Sequence, residues 1–311
     1  LCFVAFCAFT LIIIFAGVQN GIESVSKIMM PILIVLSVII AVYSVTRPGA
    51  LAGVKYFLVP NVKNFSWMTV VSAMGQMFYS LSIAMGILIT FGSYMKKDTA
   101  IEDSTRNVEV FDTGIAIMAG LMIIPAVFAF SGGDPDTLQA GPSLMFITIP
   151  KVFQNMGFGT VIGIVFFLLV LFAAVTSSIA LTESAVSTFE DELGWGRKKA
   201  TVLVGVIMLV LGSLSSLGYG PLAGIKIIGM QFLDLFDFLT NSVMMPIAAL
   251  LTSLLVSRVV GIDKIEEEII HGESAFRRKK VFVVMIKYLC PVFAIIILLS
   301  SVANALGWIK M

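Results

Sequence analysis

Met74-Gly75-Gln76-Met77-Phe78-Tyr79-Ser80-Leu81-Ser82-Ile83-Ala84-Met85-Gly86 is apolar enough for a membrane span, yet it sets Gln, Tyr and two Ser between two glycines before running on to Ser93-Tyr94. In hydrocarbon an unpaired backbone N–H or C=O is expensive, so a helix is interrupted only where protein or water re-satisfies the freed groups. Two readings fit the stretch. In one, the helix unwinds near Ser80 and Ser82 and offers carbonyls to a cation and helix ends to a charged substrate. In the other, the helix is continuous and its small residues form a packing face.

Composition restricts the class. Hydrophobic residues make up 59% of the 311-residue chain and charged residues 13%. That is too little charge for the surface of a soluble domain of this size, so the chain reads as an all-α polytopic membrane protein. A net charge of +1 gives no basis for a nucleic-acid partner. Cys2, Cys7 and Cys290 lie in apolar runs without metal-ligand spacing or a disulfide framework, and read as small buried hydrophobes. His271, the single histidine, sits in a charged loop and reads as solvated. The chain opens in mid-span at Leu1-Cys2-Phe3, with no initiator Met and no basic region or cleavage site of a signal peptide. The expectation is a chain lacking its N-terminal part.

Apolar runs separated by polar loops predict eight spans: Phe3–Val18, Ile28–Thr46, Met68–Tyr94, Val110–Phe130, Thr160–Phe189, Thr201–Leu217, Leu235–Val259 and Val281–Trp308. Several exceed the roughly 20 residues a crossing needs, so they tilt, break or extend past the membrane. Lys and Arg set the orientation. One alternating set of loops, with the first turns of the last span, carries fourteen of these bases and the other set six. The loops holding Lys27, Lys96 to Arg106, Arg197 to Lys199 and Arg258 to Lys280 are therefore expected in the cytoplasm. The chain then starts outside, which requires an odd number of absent spans if the true N-terminus is cytoplasmic.

Residues 47–67 form a long outer loop. A second opens at Ser131-Gly132-Gly133-Asp134-Pro135-Asp136 with strong turn chemistry, and continues through Gly141-Pro142-Ser143 into the apolar Phe146-Ile147-Thr148-Ile149-Pro150. This stretch (131–158) reads as a re-entrant or capping element over an outer vestibule. The inner loop 261–280 mixes acids and bases and reads as a surface helix.

Four further features bear on chemistry. Asp112 stands at the start of the apolar run from Val110 to Ala116. An intramembrane carboxylate costs roughly 2.5–3.5 kcal/mol on insertion scales, which makes it a functional candidate; the alternative is an interfacial Asp capping its helix. Thr176-Ser177-Ser178 sits in mid-span after Ala173. Its hydroxyls and carbonyls suit a hard cation such as Na⁺, or else bond the preceding turn or pack as small residues. Glu183, beyond Leu181 on the same span, is either a proton site or a tether between neighbouring helices. Asp237 opens another span after Asp234, as a gate charge or as a carboxylate at a helix N-terminus. Singly these signals are weak, but their order and spacing are not.

Together they resemble the neurotransmitter:sodium symporter family, specifically its bacterial amino-acid transporters, nearly end to end. Gly21-Ile22-Glu23 with Ser26-Lys27-Ile28-Met29-Met30-Pro31 is similar to that family's fifth helix, including its Gly-x9-Pro spacing. Gly75-Gln76 to Gly86 and Thr90-Phe91-Gly92-Ser93-Tyr94 resemble its unwound sixth helix, and Asp112-Thr113 with Ala119-Gly120 its seventh. Gly141-Pro142 resembles its outer loop, and Thr176-Ser177-Ser178 with Glu190-Asp191-Glu192-Leu193 its eighth helix.

The resemblance implies two inverted five-helix repeats with the site at mid-membrane. On it, residues 1–46 are the last two helices of the first repeat, 68–260 the second repeat and 281–311 an additional C-terminal helix. Helices one to three are then absent, and the chain alone is not expected to transport. Ser80 and Asp112 become side-chain ligands of a first sodium site; Ala173 (by its carbonyl), Thr176 and Ser177 become half of a second. Tyr79 becomes an aromatic lid over substrate, and the carbonyls of Tyr79, Ser80 and Ser82 receive the substrate ammonium. Met85 and Leu181 line the side-chain pocket, with Ser177 also at the substrate, which favours an apolar or aromatic amino acid. Asp237 resembles an outer gate, and Asp191 with Ser93 and Tyr94 an inner one. Gly21 and Pro31 would let the fifth helix unwind.

Chloride-dependent members hold an anion with hydroxyls and a Gln. This chain keeps Gln76 and Ser80 but has Asp112 and Ala116 where those have Asn and Ser, so no chloride is expected. The expected function is sodium-coupled symport of an amino acid by alternating access in a plasma membrane (the bacterial inner membrane), with no bond made or broken and hence no enzyme. Two rivals stand beside it: a non-transporting receptor or scaffold that senses amino acids, and a proton-coupled transporter with Glu183 or Asp112 as carrier.

Overall fold

The computed structural model describes residues 1–132, 141–154, 157–272 and 275–308, and among these the chain is all-helical, without a strand. In chain order come α1 (Cys2–Phe15), α2 (Ser24–Val45), α3 (Ala50–Leu58), α4 (Trp67–Ser80), α5 (Ile87–Ser93), α6 (Ile101–Ser131) and α7 (Ile149–Gln154). Then follow α8 (Gly159–Leu193), α9 (Arg197–Gly218), α10 (Phe232–Asp237), α11 (Met245–Leu254), α12 (Ile262–Gly272), α13 (Lys279–Val284) and α14 (Cys290–Ala305). Short π-helical segments join several of them, among others at Val18–Glu23, Phe238–Met244 and Met285–Leu289.

Counted with those joints, six helical stretches are long and apolar enough to cross a membrane: Val18–Val45, Ile101–Ser131, Gly159–Leu193, Arg197–Gly218, Phe232–Val260 and Lys279–Ala305. By length and composition this is a multi-pass membrane protein. Of the eight predicted spans, α1 has 14 residues, short of a crossing, and Met68–Tyr94 is broken into α4 and α5. α8, at 1.5 Å per residue, reaches about 52 Å against a hydrocarbon core of about 30 Å, so its ends stand beyond it.

The pattern along α2 shows what holds such helices. Met29, Leu33, Ser37, Ile40, Ala41 and Ser44 are buried along one stripe at helical spacing, while Ile28, Val35, Ile39 and Val42 are exposed on the opposite side. An apolar outer face matches lipid as solvent. Cohesion then comes from close packing of small and shape-matched groups more than from escape from water.

Two compact units divide the chain, one of Leu1–Phe15, Ser66–Glu109 and Ile179–Met311, the other of Ala16–Phe65 and Val110–Ser178. In the first, α1 lies along α9, where a Cβ at Gly205 or Gly212 would stand 2.9 Å from Leu11 Cδ1 or 2.4 Å from Phe3 Cζ. Phe78, Ala249, Ala294 and Ile297 join α4, α11 and α14 in an apolar cluster. The 261–280 loop contains the expected surface helix, α12. Its Glu266 pairs with Lys279, and Arg278 Nη1 meets Glu109 Oε2 at 2.8 Å. Hydrogen bonding and charge from Glu109, with Glu102 behind it, push the Arg278 guanidinium further above its ordinary value.

In the second unit, Leu33 and Ile40 of α2, Val127 of α6, Val152 and Phe153 of α7 and Phe166 of α8 meet in one core. Within the predicted capping element, Leu144–Gln154 is helical and buries Ile149, Val152 and Phe153 there. The turn Gly133-Asp134-Pro135-Asp136 lies outside the described residues. α3 rests on α6 through Gly53, where a Cβ would stand 2.8 Å from Pro125 Cα and 3.0 Å from the Ile124 carbonyl oxygen. Backbone cannot yield as a side-chain tip can. Gly53→Ala is therefore expected to cost about 1–3 kcal/mol by overpacking, outweighing the roughly 1 kcal/mol that Ala gains in helix propensity. Thermal unfolding in detergent measures this, and a raised melting temperature would refute the close approach.

Candidate functional site

α4 begins with a reciprocal cap: Ser66 Oγ accepts the Thr69 N–H at 3.2 Å, and Thr69 Oγ1 accepts the Ser66 N–H at 3.3 Å. The helix ends at Ser80. Ser82 and Ala84 then take φ of 53° and 63° and Gly86 takes 80°, and α5 resumes at Ile87. A left-handed conformation costs a residue with a Cβ about 1–2 kcal/mol, so two within three residues mark a turn held by its surroundings. The regular ladder gives way to bonds of mixed span, with the N–H groups of Leu81, Ser82, Ile83 and Met85 donating to the carbonyls of Met77, Tyr79, Phe78 and Ser82. The continuous-helix reading fails here and the unwound one holds.

Tyr79 and Ser80 are exposed at the end of α4, and Ser82 and Met85 are half-buried in the turn. Leu181 of α8 is exposed. The end of α4 also lines a cavity of about 140 Å³ through Gly75 and Tyr79, closed by Asn241, Met245, Ile297 and Ser301.

Asp237 is the last residue of α10, which starts at Phe232 with Asp234 in its first turn. The reading of a carboxylate at the helix N-terminus therefore belongs to Asp234. Asp237 is exposed and accepts a hydrogen bond from Asn241 Nδ2 at 2.5 Å. Asp112 is likewise an interior residue. α6 starts at Ile101 with Glu102 and Asp103 in its first turn, so Asp112 caps nothing.

Asp112 belongs to the second unit, as do Ala173, Thr176 and Ser177. Thr176 Oγ1 donates to the carbonyls of Ala173 and Phe172 at 3.0 and 3.1 Å. A donating hydroxyl keeps its lone pairs, so the bond that satisfies the proton leaves the oxygen able to bind a cation beside the Ala173 carbonyl. Ser177 is exposed. In the same unit Gly21 lies in the π-helical turn Val18–Glu23, entered at Gly17 with φ 86°, and α2 continues through Pro31. This segment is a widened helix and is not unwound.

At the far end of α5, Ser93 Oγ donates to the Thr90 carbonyl at 2.7 Å and the Tyr94 hydroxyl donates to Glu183 Oε1 at 2.7 Å. Glu183 is 0% exposed. It receives Arg197 in a fork, Nη1 to Oε1 at 3.0 Å and Nη2 to Oε2 at 2.6 Å. Arg197 Nε donates to the Ile14 carbonyl at 3.0 Å, and its Nη1 lies 3.4 Å from Glu190 Oε2. Glu183 is thus a tether, tying α5 and α8 to α9 and, through Arg197, to the end of α1. Among the described residues no hydrogen bond of this cluster reaches Asp191, which is exposed. Arg197 stood in the sequence only as one loop charge among three. The signal available was that a carboxylate inside a span requires a partner, and Arg197 opens the next helix.

With that geometry in hand, three comparisons bear on the chain. A family model described as the sodium:neurotransmitter symporter family matches residues 1–308. An uncharacterized sodium-dependent transporter of Bacillus subtilis (strain 168), YhdH, is 33% identical over 298 residues, covering 96% of this chain and 65% of its own. One of Haemophilus influenzae is 30% identical over 292 residues, covering 93% and 62%. The crystal structure of MhsT in complex with L-phenylalanine matches with a TM-score of 0.83 and 34% identity, over 96% of this chain and 66% of that one. The chain therefore spans just under two thirds of the length of these relatives.

Proposed function

The chain belongs to the sodium:neurotransmitter symporter family, a family of transporters and not of enzymes, and we propose that it serves sodium-coupled uptake of an amino acid, apolar or aromatic, without chloride. The observation that carries this reading is the interruption from Ser80 to Gly86 within an apolar stretch, with Ser82 and Ala84 at positive φ. A membrane protein tolerates such a break where it lines a site. In this reading the carbonyls of Tyr79, Ser80 and Ser82 receive the ammonium, while Tyr79, Met85 and Leu181 surround the side chain. Ser80 and Asp112 are sodium ligands, as are the Ala173 carbonyl, Thr176 and Ser177. That the MhsT structure holds L-phenylalanine supports an aromatic substrate. Glu183, held by Arg197 and Tyr94, acts as a tether and not as a proton carrier. The membrane is the bacterial inner membrane, and residues 68–260 form the second repeat.

The test is uptake of L-[³H]phenylalanine into proteoliposomes holding the full-length protein, driven by an inward Na⁺ gradient, with L-glutamate and L-lysine as competitors. Uptake is expected to stop when external Na⁺ is replaced by choline and to resist both competitors. Undiminished uptake in choline would refute sodium coupling. Changing Thr176 and Ser177 together to Ala removes two oxygen ligands from a cation. By analogy with hydrogen bonds to charged groups that costs about 1.5–3 kcal/mol, so half-maximal Na⁺ is expected to rise about tenfold or more. An unchanged Na⁺ dependence at equal membrane abundance would leave these hydroxyls a packing role alone.

A further inference from the structure

Between the break and the Glu183 tether, the polar groups of α5 and α8 form one chain. Thr90, Ser184 and Ser187 are 6%, 6% and 8% exposed, and a spacing of three sets Ser184 and Ser187 on one face of α8. Ser184 Oγ donates to the Met85 carbonyl at 3.4 Å. Thr90 Oγ1 lies 3.5 Å from Ser184 Oγ and 3.4 Å from Ser187 Oγ. Beyond them on α5, the Tyr94 hydroxyl donates to Glu183. Hydroxyls in helices ordinarily bond their own preceding turn, as Thr188 does to the Ser184 carbonyl at 2.8 Å. These three instead join neighbouring helices. The fit is tight at the top, where a Cβ on Gly86 would stand 2.7 Å from Ser184 Oγ.

We propose that Ser184 is a positioning residue of the substrate site: with Thr90 and Ser187 it holds the Met85–Gly86 lip of the broken helix on α8. The inference rests on the assignment of Met85 to the substrate pocket. Residues at the lip and not the sodium ligands depend on this chain, so its loss alters substrate recognition and spares Na⁺ dependence.

Two measurements on the full-length protein separate the link from the pocket. In the absence of substrate, hydrogen exchange of the amides in residues 83–90 is expected to quicken about fivefold in Ser184→Ala, as for loss of one buried hydrogen bond. Exchange within α9 stays constant, and Ser184→Thr, which keeps the hydroxyl, restores the slow rate. In uptake, Ser184→Ala is expected to raise the KM for L-phenylalanine about fivefold, with kcat and half-maximal Na⁺ little changed. Thr90→Val, isosteric with Thr, breaks the same chain from α5 and is expected to reproduce both changes, so misfolding of one variant leaves the other to decide. Thr188→Ala is the control that moves neither. Unaltered exchange at 83–90 overturns the link whatever the uptake shows. Quickened exchange with an unchanged KM, where Met85→Ala does change it, overturns the role of Ser184 while the pocket assignment survives. If neither Met85→Ala nor Ser184→Ala alters the KM, the pocket assignment fails and takes the inference with it.

Discussion

Arg197→Ala is expected to destabilise the chain by about 3–5 kcal/mol, the cost of leaving a buried carboxylate without its partner. Glu183 has no exposed surface, and Arg197 supplies two of its hydrogen bonds, leaving, among the described residues, the Tyr94 hydroxyl. The same substitution frees the Ile14 carbonyl, so the end of α1 loses its tie as well. The melting temperature in detergent is expected to fall by roughly 6–20 °C, taking about 2–4 °C per kcal/mol for a large domain. Arg197→Lys should recover only part of the loss, because an ammonium cannot fork onto a carboxylate while also reaching the carbonyl. The decisive variant is Arg197→Met combined with Glu183→Leu. Replacing both charges by apolar groups removes the uncompensated carboxylate, so the double variant should melt well above Arg197→Ala. If it melts as low as Arg197→Ala, the damage arises from lost packing and the ion pair is incidental.

The break was legible because its residues are wrong for a plain span. Gln76, Ser80 and Ser82 between two glycines have no reason to lie in hydrocarbon unless something there uses them. Its internal geometry was not legible, since Ser82 and Ala84 at positive φ are residues that no propensity assigns to that conformation. Helix starts were misplaced wherever the first turns are polar. α6 spends its opening turns on Glu102, Asp103, Arg106 and Glu109, so counting apolar residues began the span near Val110 and made Asp112 look terminal. α10 starts at Phe232 with Asp234 in its first turn, and there a single carboxylate after two apolar residues was enough to move the expected start past it to Leu235. Glu183 was legible as an anomaly, but its partner was not. A base at the first residue of a helix is ambiguous between solvent and core until the neighbouring helix is placed beside it. The hydroxyls of Ser184 and Ser187 carried even less signal, since serine on a transmembrane helix is as often packing as bonding.

Uptake is expected to continue undiminished when chloride is replaced by gluconate, with Asp112 as the reason. The side chain lies in the interior of α6 and is half-buried, so its charge is a feature of the span and not of a solvated helix end. Ala116, one turn further on, has no hydroxyl to donate to an anion. At 4 Å and an effective dielectric near 20, two unit negative charges repel by about 4 kcal/mol, which lowers anion occupancy roughly a thousandfold. On the proposed function, the carboxylate is to supply in fixed form the negative charge that a bound chloride would bring, and to offset Na⁺ directly. Asp112→Asn combined with Ala116→Ser removes that charge and adds a donor. This variant is expected to need more Na⁺ for half-maximal uptake and to acquire a dependence on chloride that the wild type lacks. Parallel uptake series in chloride and gluconate, at fixed Na⁺, measure both effects. If wild-type uptake is abolished in gluconate, a mobile anion is required after all, and the carboxylate of Asp112 is not its substitute.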